Sequence, residues 1–174
     1  MKIIFGLLIF LCFTILIILG TIKNNRIPAG LGVIDGKLAE VPLSPNAVSS
    51  QTEQLDKRVE PFPFRNDFPQ SRQRILSIIK HYPGAHLIID TQDYLHVVFV
   101  MPIIPFKDDV EFLFDRQSQL IHYRSASRVG YSDLGVNKKR YQEIRLLYFN
   151  SLAVPAVDGA VLFPAAKIKE PVPG

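Results

Sequence analysis

The chain has 174 residues and a formal net charge of +4, and 21% of its residues are charged. This length accommodates one domain of ordinary size, and the modest charge without an aromatic-basic recognition motif argues against a nucleic-acid-binding protein. The single cysteine excludes an internal disulfide, so cysteine usage cannot identify the redox compartment.

The first predicted element is an apolar helix at the N-terminus. Ile3 to Ile22 contains 20 residues without a charge or a proline. As a helix this run is roughly 30 Å long, close to the hydrocarbon thickness of a bilayer. No small-residue cleavage pattern follows it, and Cys12 lies in its middle rather than at a lipoprotein attachment site. The sequence therefore predicts a single-pass membrane protein whose residues 1–22 form an uncleaved anchor.

The charges beside this helix bear on its orientation. Lys2 and the free amine flank one end, and Lys23, Arg26 and Lys37 follow the other, so the positive-inside count is nearly balanced. A short basic tail before an apolar run is typical of exported proteins. We therefore expect the domain outside the cytoplasm, on the periplasmic side of a bacterial inner membrane.

Residues 23–69 form a segment that is rich in proline and serine and has no sustained period. Each proline removes a hydrogen-bond donor and restricts the preceding residue, so extended and turning backbone is predicted. The segment is too apolar for a simple linker, and several side chains are expected to lie over the domain: Leu38, Val41, Leu43, Val48, Phe62, Phe64 and Phe68.

The core is predicted within residues 70–152, ahead of an irregular tail at 153–174. A helix from Gln70 to Tyr82 is followed by four strand-like runs and a second helix from Asn137, as N-cap, to Leu152. Short polar breaks between the strands favour an antiparallel meander. The prediction is an α+β domain: a four-stranded antiparallel sheet flanked by two helices. Its strands are Ala85–Asp90, Tyr94–Met101, Val110–Asp115 and Leu120–Ser125.

The last two predicted strands should form a hairpin of definite register. Val110, Phe112 and Phe114 alternate along one face of the first strand, and a four-residue loop follows it. Matching the apolar faces across that loop sets Glu111 opposite Arg124, an opposite-charge cross-strand pair. The acidic stretch before the loop and the basic stretch after it thus have a structural explanation.

Three segments carry a family resemblance. They read LGVIDGKLAEVPLSPNAVSSQ (Leu31–Gln51), YLHVVF (Tyr94–Phe99) and DDVEFLFDRQSQLIHYRSASRVGYSDLGVNKKRYQEIR (Asp108–Arg145). Together they resemble the domain-of-unknown-function family 1499 (DUF1499) from Leu31 to Phe149, and this resemblance implies no established activity. It also implies a frequent cysteine pair, at positions occupied here by Val41 and Ala47, so that disulfide is absent from this chain.

The loop after the hairpin is the candidate binding site. Serine and arginine donors beside the free amides of a helix N-terminus could bind phosphate, sulfate or carboxylate. The alternative is structural: Arg124 pairs with Glu111, Arg128 pairs with Asp108 or Asp109, and the serines and Asp133 cap turns. Buried, mutually paired arginine and aspartate side chains would favour this alternative. The candidate binding residues are Arg124, Ser125, Ser127, Arg128, Ser132, Asp133, Asn137, Arg140 and Arg145.

Two functions remain open from the sequence. The favoured one is a non-catalytic module at the membrane surface that binds a lipid headgroup, a small anion or a partner protein, with anionic lipid or another membrane protein as partner. The alternative is a membrane-tethered hydrolase centred on residues 124–137, in which His96 or His122 would meet Ser125 or Ser127. No cofactor, metal site or nucleic-acid partner is predicted.

Overall fold

The computed structural model describes residues 2–102 and 105–150. The N-terminal helix α1 runs from Lys2–Asn25, three residues beyond the predicted end. By length and composition α1 can cross a membrane, and a signal sequence near the N-terminus would meet the same criterion. Most of its apolar side chains are exposed, as a lipid-facing helix requires.

The larger sheet has six strands, not the predicted four. Five of them lie side by side in the order β3, β8, β7, β6, β5, and β4 also pairs with β8. A separate hairpin pairs β1 with β2. The strands are β1 (Val33–Ile34), β2 (Lys37–Leu38), β3 (Ala47–Ser49), β4 (Phe62–Pro63), β5 (Ala85–Asp90), β6 (Tyr94–Val100), β7 (Lys107–Asp115) and β8 (Leu120–Ser127).

The antiparallel meander of the four predicted strands is confirmed as β5 to β8. The four-strand count was wrong because β3 and β4 are too short to show an alternating pattern. They lie in the proline-rich segment, where β4 itself contains Pro63. Strand β7 also starts three residues before the predicted Val110, because Asp108 and Asp109 join the ladder opposite Ser127 and Ala126.

Helices α2 (Phe68–His81) and α3 (Val136–Phe149) pack on one face of the sheet. Asp67 caps α2 by accepting a hydrogen bond from the Gln70 amide at 2.8 Å, so α2 starts before the predicted Gln70. The predicted N-cap of α3 was wrong: Gly135 caps it in the left-handed conformation, and Asn137 lies buried in the first turn. The predicted tail and Leu152 lie outside the described residues.

The hydrophobic core lies between the two helices and the sheet. The helices contribute to it the buried side chains of Ile75, Ile78, Ile79, Tyr141, Ile144 and Tyr148. The Phe62 ring stacks on the rings of Tyr141 and Tyr148 at centroid distances of 5.5 and 5.6 Å. This stacking joins β4, in the proline-rich segment, to α3.

The opposite face of the sheet is covered by the chain between α1 and β3. Leu38 packs with Tyr94 and Leu113 there, which confirms the prediction that its side chain lies over the domain. The prediction for Leu43 was wrong, because its side chain is 90% exposed. The outer edge of the sheet is β5, where Leu87, Ile88 and Ile89 are exposed and the pairing with β6 shifts at a bulge.

Candidate functional site

The predicted pairing of the β7–β8 hairpin is present. Glu111 lies opposite Arg124 in the ladder, and Arg124 Nη1 donates to Glu111 Oε2 at 2.8 Å. Arg128 pairs with Asp109 and donates from Nε and Nη2 to its two carboxylate oxygens, both at 2.8 Å. Of the two partners predicted for Arg128, the structure therefore selects Asp109.

These pairs belong to a buried polar layer on the sheet face that points away from the helices. His96 and Asp109 are each 1% exposed, and the His96 Nε2 to Asp109 Oδ1 distance is 2.8 Å. Burial alone would raise the pKa of Asp109, but hydrogen bonds from Arg128 and His96 outweigh it and lower that pKa. Glu111 is fully buried and also accepts from the Tyr94 hydroxyl and the Gly32 amide, both at 2.7 Å.

A second polar network lies on the helix side of the same hairpin. Arg140 of α3 donates from Nη2 to Asp108 Oδ2 at 2.6 Å and from Nη1 to Asn137 Oδ1 at 2.9 Å. Ser125 donates to the same Asn137 oxygen, and Asn137 donates to Ser127 Oγ at 3.0 Å. Asp108 was predicted as a partner of Arg128 and instead holds α3 against β7.

The predicted site residues are thus divided between two faces of the sheet. Ser132 and Asp133 accept hydrogen bonds from backbone amides of the loop and of the first turn of α3, as the structural alternative predicts. Arg145 is exposed on α3, and its guanidinium lies 5.1 Å from the Phe149 ring centroid. Arg124, Arg128 and Arg140 each have a carboxylate partner, which is the buried pairing that favours a structural role for the loop.

The histidines do not assemble with the candidate serines among the described residues. His96 is bound to Asp109 on the outer face, whereas Ser125 points to the helix side. His122 Nδ1 lies 3.3 Å from the hydroxyl of a different residue, Ser50, and burial lowers the pKa of His122. Within the described ranges, no group of three or more His, Cys, Asp and Glu side chains could hold a metal ion.

Asn24 joins α1 to the domain, a role that no sequence pattern indicates. Its side chain is buried, donates to the Pro105 carbonyl at 2.7 Å and accepts from the Lys107 amide at 2.9 Å. The Asn24 carbonyl accepts from Arg128 Nη1 at 3.2 Å. The sequence predicts a connection through residues 23–69, but the last turn of α1 binds directly to the start of β7 and the end of β8. We call these three hydrogen bonds the Asn24 clamp.

An open cavity of about 670 Å³ lies beside the Asn24 clamp, between α1 and the outer face of the sheet. Arg124 lines it, and its buried Nε has no hydrogen-bond partner among the described residues. Glu40 lies at its wall, where a hydrogen bond from Thr52, and secondarily the charge of Arg124, lower its pKa. The helix side of the cavity is formed by Leu19, Ile22, Lys23 and Arg26, and the sheet side by Asp109, Arg124, Ala126, Ser127 and Arg128.

The loops at the α1 end of the sheet expose large apolar side chains. Leu43, Tyr131 and Leu134 are 90%, 78% and 93% exposed. The two loops that carry them are joined by a 2.8 Å hydrogen bond from Asn46 Nδ2 to the Gly130 carbonyl. We call Leu43, Tyr131 and Leu134 the apolar tips.

Comparison with known proteins gives one match. The family model described as "Protein of unknown function (DUF1499)" matches residues 37–147, more than half of the chain. No curated protein and no solved structure matches this chain. The positions that resemble the frequent cysteine pair, Val41 and Ala47, are both buried and share a small hydrophobic cluster with Ala126.

Proposed function

The chain belongs to the DUF1499 family of proteins of unknown function, and we propose that it is a membrane-anchored, non-catalytic module that works at the bilayer surface. The observation that carries this proposal is the Asn24 clamp. Because the clamp fixes the end of α1 to the sheet, a bilayer crossed by α1 would lie against the α1 end of the domain. The partners would be anionic lipid or another membrane protein.

The composition of that end supports contact with headgroups. The apolar tips are exposed to water at a cost, and burial in the interface would remove apolar surface from water. Lys23 and Arg26, just beyond the apolar part of α1, are exposed, and basic residues there are attracted to anionic headgroups. Aromatic residues such as Tyr131 favour the same depth in a membrane.

Cysteine labelling tests the proposal in native membranes. Cys12 lies in the middle of α1 and should react with a membrane-impermeant maleimide only after detergent is added. In a Cys12→Ser background, Leu134→Cys should react several times more slowly in membranes than Gln117→Cys, and at a similar rate in detergent. Gln117 is the matched control because it is exposed in the β7–β8 turn, at the far end of the hairpin.

Equal labelling of the two variants in membranes would refute surface contact, and labelling of Cys12 in membranes would refute the anchor. The same variants test the side of the membrane. We propose that the domain lies outside the cytoplasm, so Gln117→Cys should be labelled in cells whose inner membrane is intact. Labelling only after that membrane is broken would place the domain inside.

A further inference from the structure

We propose that the cavity between α1 and the sheet binds one anionic lipid drawn from the bilayer. The headgroup would lie among Lys23, Arg26 and Arg124, and the start of an acyl chain along Leu19 and Ile22. This inference rests on the proposed function, because it requires α1 to lie in a membrane.

The shape and lining of the cavity suit an amphiphilic ligand. Its volume of about 670 Å³ lies within the usual range for small-molecule sites, and such sites combine an apolar lining with a few polar groups. The volume fits a headgroup and the adjoining part of its chains. Leu19 and Ile22 belong to the last turns of α1, so the cavity opens where the apolar helix meets the domain.

The charges around the cavity select an anion. Four basic side chains and two acidic ones line it. Asp109 is held by Arg128 and Arg124 is paired with Glu111, which leaves Lys23 and Arg26 against one remaining carboxylate of the lining, Glu40. The lining therefore presents an excess of positive charge at the height where phosphate groups of a bilayer would lie.

Arg124 supplies the specific donor. Its side chain lines the cavity, is 9% exposed and uses one of its donors, Nη1, for Glu111. A phosphate in the cavity would lie against the exposed part of this guanidinium, whose positive charge borders the cavity.

Native mass spectrometry of the full-length protein in detergent tests the inference. With equal amounts of phosphatidylglycerol and phosphatidylcholine present, we expect the protein to retain one phosphatidylglycerol molecule in preference to phosphatidylcholine. Lys23→Ala with Arg26→Ala should weaken this binding about twenty-five-fold, since each basic residue near the headgroup contributes about fivefold. Ala29→Trp should block binding by filling the cavity from an exposed position in its wall.

Lys138→Ala with Lys139→Ala is the matched control, because it removes the same charge from exposed positions on α3 that do not line the cavity. The inference would be overturned if the control variant lost as much phosphatidylglycerol binding as the double variant at Lys23 and Arg26. Equal retention of the two lipids by the wild-type protein would also overturn it. Failure of the surface-contact proposal gives a different result: Leu134→Cys would be labelled freely in membranes whatever lipid the purified protein retains.

Discussion

At the scale of single residues, the buried charges of β7 are matched one to one. Asp108 and Asp109 follow each other in the chain and point to opposite faces, and each has its own arginine. A buried ion pair contributes little net stability, but removal of one partner leaves an uncompensated charge and costs about 3–5 kcal/mol. The main effect of these pairs is therefore to determine which face of the sheet each segment covers, and their net contribution to stability is small.

Asp109→Asn should lower the free energy of unfolding near neutral pH by about 3–5 kcal/mol, because Arg128 keeps its buried charge. The lowered pKa of Asp109 adds a pH dependence. The unfolded chain takes up this proton near the ordinary pKa of 3.8, before the folded chain does, so the stabilisation is complete above that pH and is lost as the pH falls below it. Denaturant unfolding of both proteins between pH 7 and 3 measures this change.

The control is Glu53→Gln, which breaks the exposed pair with Arg58 and should cost less than about 1 kcal/mol. A difference between wild type and Asp109→Asn that stays constant from pH 7 to 3 would contradict the assigned role of Asp109.

Pairs within one hairpin could be predicted from the sequence, and pairs between elements could not. Alternation and loop length together determine the register that joins Glu111 and Arg124. No local pattern relates Arg140 to Asp108, which precedes it by 32 residues, or Asn24 to Lys107. These contacts depend on how separate elements pack, and sequence alone left the partner of Arg128 open for the same reason.

At the scale of elements, long strands and amphipathic helices were predictable, and two-residue strands were not. Strand β5 has the predicted bounds, and β6 ends one residue before the predicted Met101. Strand β4 spans only Phe62–Pro63, so its pairing follows from the burial of Phe62 against α3 and not from a repeat. The proline-rich segment thus completes the sheet, although its composition resembles a connector.

The turn between α2 and β5 depends on Gly84. Its φ is +73°, and an added Cβ would lie 2.5 Å from the carbonyl oxygen of Val100, the last residue of β6. Gly36 is the matched control, with the same φ and no atom within 4 Å of an added Cβ. Gly36→Ala should cost about 1 kcal/mol from backbone strain alone. Gly84→Ala should cost clearly more, as measured by thermal unfolding, and equal costs would refute the close approach.

At the scale of the whole molecule, α1 and the domain form one unit because of the Asn24 clamp. Asn24→Ala should remove two of its three hydrogen bonds and leave the Pro105 carbonyl and the Lys107 amide without those partners. We expect a broader distribution of distances between spin labels on Cys12 and Gln117→Cys, measured by pulsed electron paramagnetic resonance in lipid nanodiscs.

Asn25→Ala is the control for this experiment. The Asn25 side chain accepts a hydrogen bond from the exposed Nζ of Lys107, and it donates its other hydrogen bond to the Thr21 carbonyl within α1. The label distances should stay narrow in that variant. Equally broad distributions in wild type and Asn24→Ala would show that α1 moves independently of the domain.

Among the described residues, no strand pairs with the outer edge of β5, and this would matter for a protein held in a membrane. Molecules confined to two dimensions collide repeatedly in similar orientations, so a regular free strand would invite sheets to fuse into fibres. The bulge between Leu87 and Ile89 breaks the even spacing of amides and carbonyls that an incoming strand would need. In a membrane, this irregularity of one residue would oppose pairing between the sheets of neighbouring molecules.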